Sequence, residues 1–368
     1  MTQSLTIKRL LTDKMALNKT RIDQVSIAPV LGEGEVILKI ERVAITTNNI
    51  TYAAFGDAMQ YWDFFPTGAP DWGHMPVWGF AHVAESKAAG VETGELFYGY
   101  FPIASHIRMQ AERVTERGFY DGSEHRRTLV SAYNQYTRCS HDPAHRAGSE
   151  NYQILVRPLF ITSFMCADFL QDNDCFGAKQ VVVSSASSKT AYGTAYCLRG
   201  QIDVKLIALT SERNRAFVTD LGCYDDVKSY EEAEQIDPNL STLYLDFSGD
   251  DLLRATIHHH FGAALVYDCY AGSAQNTQFL QKAALPGPEP KLYFAPVQIK
   301  KRNIDWGHEE VNRRFNAAQL AFIDRISRPG EEWMRVVEHA GFDAAAALIE
   351  QMHDGRIDPR AGHVVLLP

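Results

Sequence analysis

After Val183 the chain reads Ser184-Ser185-Ala186-Ser187-Ser188-Lys189-Thr190-Ala191, a run of small residues and hydroxyls that follows a β-branched stretch and leads into a helical pattern. A turn of that kind sets backbone N–H groups and the positive end of a helix where a pyrophosphate can sit. Glycine usually fills three positions of such a turn, because a side chain obstructs the approach of backbone to phosphate. Here Ser185, Ser188 and Ala191 stand at that spacing. The substitutes are small and the serines add donors, so Ser185, Ser187, Ser188, Lys189 and Thr190 are the candidates to hold phosphate. Two other readings share the pattern. A serine-rich N-cap on any buried helix looks similar. Ser188-Lys189-Thr190 also matches the end of a nucleoside-triphosphate loop, although the glycines of that loop would fall on Val183 and Ser188.

An acidic residue roughly 20 residues beyond the turn, at the end of the second strand, takes the ribose 2′-hydroxyl of NAD. This chain has Thr210-Ser211-Glu212-Arg213 in that window. Thr210 and Ser211 are neutral donors and Arg213 is a forked cation, a set suited to the 2′-phosphate of NADP(H). Glu212 argues the other way if its carboxylate points inward, so NAD stays open beside the preferred NADP(H). Asp246, which follows the strand Thr242 to Leu245, completes the cofactor candidates.

The elements that would position these groups follow from periodicity. Gly34 to Ala44 alternates with period two, as a half-buried antiparallel strand does, and residues 1 to about 125 read as mostly β. Gln180 to Ser184 is a continuous β-branched run suited to a parallel strand covered on both faces. Short apolar strands at Val204 to Leu209, Thr242 to Leu245, Ala263 to Tyr267 and Lys291 to Ala295, with helical patterns between the first several, give the alternation of a doubly wound, Rossmann-like sheet. Glu309 to Arg325 and Glu331 to Met352 read as helices, and His363 to Leu367 as a closing strand. The expected fold class is α/β, a β-rich domain plus a Rossmann sheet. The domains are 1–155 with a polar insert at 121–149, then 156–305, then 306–368 returning to the first. The insert reads either as a solvated excursion or as a connector or flap.

Composition narrows the function. With 36 Lys plus Arg against 45 Asp plus Glu, the net charge of -9 repels a phosphate backbone, so no nucleic acid is expected. The six cysteines are scattered singly, with no spacing suited to zinc, which fits a reduced, cytoplasmic protein. No amino-terminal secretion signal is visible, and the apolar runs fall short of the roughly 20 residues that span a bilayer, so no membrane is expected.

Ser184 to Gly193, Leu221-Gly222-Cys223-Tyr224-Asp225 and the β-rich first half together resemble the medium-chain dehydrogenase/reductase superfamily, particularly its zinc-free quinone-oxidoreductase-like members. More narrowly, Tyr133-Asn134-Gln135-Tyr136, Arg157-Pro158-Leu159-Phe160-Ile161-Thr162-Ser163-Phe164, the SASSKTA turn, Phe294-Ala295-Pro296 and Asp305-Trp306-Gly307 resemble an uncharacterised family within it, a domain of unknown function. The resemblance covers nearly the whole chain. It implies a GroES-like catalytic domain built from the first part and the last strand, with a Rossmann domain between. Where zinc-dependent relatives place a ligand cysteine, a relay hydroxyl and a Gly-His-Glu segment, this chain has Thr46, Asn48 and Gly79-Phe80-Ala81, so no metal is expected. Without Lewis-acid support, reduction of a conjugated double bond or quinone is the favoured hydride chemistry. The resemblance also puts Asn48, Asn49 and Tyr52 near the nicotinamide, with Tyr52 as proton donor. Tyr52 as a core tyrosine is the competing reading.

Nine of the 29 residues from Tyr52 to Phe80 are aromatic, against 11% of the chain. Such a stretch, Tyr61 and Trp62 included, would line a pocket for a flat or hydrophobic small molecule, unless it is ordinary core. Arg157 and the Arg126-Arg127 pair could take a substrate carboxylate or simply pair with the chain's acids, and Thr162 joins Arg157 as a substrate candidate. His258-His259-His260 ends a helical pattern, where imidazoles favour the negative helix end over a metal. A homodimer is expected by analogy, with Ala263 to Tyr267 as the pairing edge. The expected function is a zinc-independent, NADP(H)-dependent reductase. A non-catalytic NADP(H)-binding sensor or partner-binding protein is the alternative, and a cofactor-free lyase or scaffold the third reading.

Overall fold

The computed structural model describes residues 4–28, 30–272 and 284–368. In chain order the strands and helices begin β1 (Leu5–Asp13), β2 (Thr20–Ile27), β3 (Glu35–Ile45), α1 (Thr47–Ala54), β4 (Trp72–Gly73), β5 (Val77–Ser86), β6 (Leu96–Phe101), β7 (His106–Thr115), β8 (Gly118–Asp121) and β9 (Gln135–Arg138). Then come α2 (Glu150–Asp172), β10 (Gln180–Val183), α3 (Lys189–Leu198), β11 (Lys205–Thr210), α4 (Arg215–Leu221), β12 (Asp226–Ser229), β13 (Thr242–Asp246), α5 (Asp251–Phe261) and β14 (Leu265–Tyr270). The chain closes with β15 (Lys291–Leu292), α6 (Ala295–Asp305), α7 (His308–Ile326), β16 (Arg335–Ala340), α8 (Gly341–His353) and β17 (Ala361–Leu366). Two compact units result, Met1–Leu155 with Met334–Pro368, and Val156–Trp333.

In unit 1, β3 pairs antiparallel with β5, β7 and β17, and it buries Val36 to Leu38 and Val43 to Ile45 on both faces where the expected alternation would expose every second residue. Because β3 bonds to both β5 and β7, the run β3-β5-β6-β9-β8-β7 closes on itself and leaves no open edge within that ring. Its core gathers Val36, Leu38, Ile40, Val77, Phe97 and Phe101. The 121–149 segment is no solvated excursion: β9 pairs with both β6 and β8, and Tyr136 is fully buried.

Unit 2 is a six-stranded parallel sheet in the order β12-β11-β10-β13-β14-β15. β10 lies at its centre with every residue buried, which is what an uninterrupted Gln-Val-Val-Val run suits. The chain crosses to β11 on one side and to β13 on the other, so the order reverses at β10 and ligands are expected beyond the carboxyl ends there.

Several elements differ from the sequence reading. Residues 335–340, expected as helix, form β16, parallel to β17, because Val336 and Val337 favour a strand and Gly341 then turns with φ +78°. The strand at Lys291 stops at Leu292, and Ala295–Pro296 instead opens α6, with proline in its first turn. The strand expected from Ala263 begins at Leu265, and β15 covers its carboxyl end, so the edge of the sheet passes to β15. α2 was unforeseen because Arg157 and Pro158 interrupt its apolar pattern. At 23 residues it is long and apolar enough to cross a membrane, yet 56% of its apolar window is buried in the protein's own interior.

Candidate functional site

Each unit gathers a group of polar side chains. In unit 2 the turn after β10 is held in shape by its own serines. The Ser184 hydroxyl donates to Asp246 Oδ1 (2.7 Å) and accepts from the N–H groups of Phe247 and Ser248. Ser185 stands in the left-handed region at φ +47°, a conformation glycine adopts without cost, and its hydroxyl and backbone N–H both reach the Tyr230 oxygen as donors. Ser187 Oγ accepts from Asn214 Nδ2 (3.1 Å), and Ser188 caps α3 by accepting from the Ala191 N–H. Ser187 and Ser188 therefore act as acceptors toward the protein and keep their protons, among the described residues, for another partner. Lys189 and Thr190 form the half-exposed first turn of α3, and the Thr190 carbonyl receives Ser163 and Thr194.

At the end of β11 the two charged candidates separate. The Glu212 carboxylate faces Arg215 (3.1 Å), which also binds Glu232 (2.7 Å), and so it does not turn inward. Arg213 is exposed and has no ion pair among the described residues. Beside it Ser211 is half-buried, and the fully buried Thr210 hydroxyl has no partner among the described residues. Asp246 is a hub of the interior rather than a ligand contact. One oxygen accepts from Ser184, from the Ser248 N–H and hydroxyl and from the Gly249 N–H, and the other meets Arg254 (2.5 Å). All four groups of the Asp246, Arg254, Asp268 and His258 cluster are buried, and His258 bridges Asp268 (2.8 Å) and the Pro286 carbonyl (2.7 Å).

Sequence reasoning missed a pocket of about 330 Å³ in this unit, lined by Tyr230, Glu231, Ser248, Asp250, Leu252, Leu253 and Thr256. Leu252 is 82% exposed on its rim. A large apolar side chain left in water beside a tyrosine ring, at the carboxyl ends of parallel strands, suits a flat base. The only sequence signal for it was the strand order itself.

Arg157 and Thr162 lie on α2 five residues apart, about 140° round the helix by its 100° step, so they share no face. The Arg157 guanidinium sits 5.9 Å from the Phe315 ring centre.

Unit 1 holds a nest of aromatic hydroxyls. α1 is capped at Thr46, whose N–H and hydroxyl both reach Asn49 Oδ1, while Asn49 Nδ2 donates to the Pro76 carbonyl (2.8 Å). Both ends of the Asn49 amide are thus taken, and this residue fixes the start of α1. One turn on, Tyr52 is 7% exposed, with its ring 4.7 Å from Tyr61, 5.7 Å from Tyr100 and 6.2 Å from Tyr133. Trp78 Nε1 donates to its hydroxyl (3.5 Å), and Asn48 and Tyr133 lie within hydrogen-bonding reach of it. Burial pushes the Tyr52 phenol up to about 12, so it remains protonated across the physiological range. Trp62, by contrast, packs in the core, so close beneath Gly56 and Gly73 that a Cβ at either would strike its ring.

Tyr133 came from the 121–149 segment and was not foreseen as part of this group. Arg126, fully buried, holds it there. The guanidinium donates to Asp121 (2.6 Å), the Tyr136 hydroxyl (2.9 Å) and the Tyr133 carbonyl (3.2 Å), over the rings of Phe64 and Phe65. Arg126 is therefore a strut and takes no substrate carboxylate, while Arg127 pairs at the surface with Glu112. No group of three His, Cys, Asp or Glu side chains suited to a metal ion comes together among the described residues.

A closed antiparallel barrel in one unit and a doubly wound parallel sheet in the other are the two parts of the medium-chain dehydrogenase/reductase fold. Residues 43–358 match the family described as a protein of unknown function (DUF2855), and the chain belongs to that family. No curated protein matches the sequence. Solved structures of similar fold include CurA from Vibrio vulnificus in complex with NADPH (13% identity, 98% of this chain and 99% of that one covered, TM-score 0.61). Others are a thermostable alcohol dehydrogenase from Pyrobaculum aerophilum (11%, 98% and 100%, 0.55) and the quinone oxidoreductase from Coxiella burnetii (14%, 99% and 100%, 0.51). At these identities the likeness is one of fold.

Proposed function

We propose that the chain is a zinc-independent oxidoreductase that binds NADP(H) on unit 2 and reduces a small, flat carbonyl-conjugated substrate or quinone. The observation that carries this reading is the charge arrangement at the end of β11, where Glu212 is neutralised by Arg215 and Arg213 stands without an ion pair among the described residues. A 2′-phosphate is the dianion such a guanidinium suits, and the orphan Thr210 hydroxyl gains an acceptor there. Ser187 and Ser188, with protons to donate at the positive end of α3, suit the pyrophosphate. When bound, NADPH supplies a hydride. Tyr52 supplies the proton that the reduced oxygen requires, and its surrounding rings exclude water. Zinc independence rests on Thr46 and Gly79-Phe80-Ala81, none of which offers a thiolate, imidazole or carboxylate.

Titration of the protein with NADPH, followed by the blue shift and gain of its fluorescence, tests the reading. We expect saturation, with NADH binding more weakly. A folded protein that shows no binding at millimolar NADPH overturns it.

A further inference from the structure

The hydroxyls of unit 1 can be counted as donors and acceptors. The Trp78 indole only donates, so one lone pair of Tyr52 Oη is filled from that side. Tyr133 lies within reach of Tyr52, and its hydroxyl is 3.4 Å from that of Tyr61. Three phenols in a row hold three protons, but the two links between them use two, so one terminal O–H is left over. Trp78, Asn48 and Tyr133 all reach the Tyr52 oxygen, and of these only the phenol of Tyr133 can pass on a proton once Tyr52 has given up its own. Each acceptance along such a row strengthens the next donation. Tyr100 adds a separate sign that an oxygen belongs here. Its side chain is fully buried, its ring is 5.7 Å from Tyr52 and 4.6 Å from Tyr133, and its hydroxyl has no partner among the described residues. A buried donor left unmet costs about 1–3 kcal/mol, which an arriving acceptor would recover.

We propose that Tyr61, Tyr133 and Tyr52 form a proton relay that ends at an oxygen-acceptor site, in which Tyr52 is the catalytic donor and the insert-borne Tyr133 its resupply. This deepens the reductase reading and rests on it. In the transfer, the O–H bond of Tyr52 breaks as a new O–H bond forms on the reduced substrate oxygen. Tyr52 then takes the proton of Tyr133, Tyr133 takes that of Tyr61, and water restores Tyr61, which is only half-buried. One proton enters from solvent for each one delivered. The ligand class is a flat ring or enone bearing a carbonyl or enolate oxygen, since the walls are aromatic and the convergent groups are donors.

The test uses the protein without cofactor and para-nitrophenolate, a flat oxyanion followed by its visible absorbance. We expect binding with a red shift. Tyr52→Phe should weaken it at least tenfold, Tyr133→Phe about three- to tenfold and Tyr61→Phe about twofold, as donors are lost in order along a hydrogen-bonded row. Phenylalanine keeps each ring, and a melting temperature within a few degrees of wild type shows that packing is retained. In turnover with NADPH and menadione, the solvent isotope effect should bow with deuterium fraction in wild type and become linear in Tyr133→Phe. Equal probe binding by wild type and Tyr133→Phe, or no probe binding by the folded protein, overturns the relay. NADPH titration reports on the reductase reading separately, because the probe arm contains no cofactor.

Discussion

In unit 2 the serines of the turn after β10 bond into the protein: Ser184 to Asp246, Ser185 to Tyr230, Ser187 to Asn214 and Ser188 to the start of α3. In unit 1 the hydroxyls of Tyr52, Tyr61 and Tyr133 bond mainly to one another, and that of Tyr100 to nothing described. Ionisable groups divide less sharply. Unit 2 buries Asp246, Asp268, Arg254 and His258 as neutralising partners, and unit 1 likewise pairs Arg126 with Asp121 but also buries His74 with its Nδ1 unmet. A hydroxyl that accepts from backbone sets the shape of a turn, while one that faces only other donors keeps a proton for chemistry.

Substitutions at three positions beyond the relay series break or sharpen this contrast. If unit 2 binds its ligand through Arg213 rather than through the serine side chains that shape the turn, Arg213→Ala should raise the dissociation constant for NADPH about ten- to a hundredfold and leave that for NADH nearly unchanged. An equal loss for both cofactors would show that the 2′-phosphate is not read there. For His74, burial pushes the imidazole down to about 3, so the native state keeps it neutral while the unfolded chain protonates it near its ordinary 6.5. The stability it lends is present above pH 6.5 and is lost as pH falls from there toward 3, at about 1.4 kcal/mol per pH unit. Chemical denaturation between pH 7 and 5 should show this slope, and His74→Phe should shed about one proton's worth of it. The smallest effect is expected at Ser185. Both Ser185→Ala and Ser185→Gly lose the hydroxyl's bond to Tyr230, but only glycine relieves the φ of +47°, so the glycine variant should be the more stable of the two by about 1 kcal/mol. Equal melting of the two would mean the turn carries no backbone strain.

The sequence was most legible where one period ran without interruption. Alternation marked β3 as a strand, though not its burial on both faces, the apolar run marked β10, and the order of the strands that follow gave the doubly wound sheet. It was least legible where one residue masked a longer pattern, as Arg157 and Pro158 did in α2, or where a short strand ran into a helix, as β16 does at Gly341. Within the site, residue type alone could not separate a tyrosine whose hydroxyl joins a cluster of phenols from a tryptophan that fills the core. Tyr52 and Trp62 read alike, and only packing beneath Gly56 and Gly73 distinguishes Trp62. Asn49 and Asp246 have polar side chains at suggestive positions, yet each has its atoms taken by neighbouring groups of the protein. Tyr133 and Arg126 were hidden by their polar surroundings. The one available signal was Tyr136 between polar neighbours, which points inward from a short strand inside a segment otherwise read as loop.

The guanidinium sealed between Asp121 and the Tyr133 carbonyl has a practical consequence for anyone who would transplant this chemistry. A designer who copied only the closed ring of strands and grafted Tyr52 onto it would carry away one phenol of three. Tyr133 travels with the stretch from Asp121 to Arg138 and the cation that staples it down, and Tyr61 with the connection between α1 and β4, so the portable unit is the barrel together with both connections.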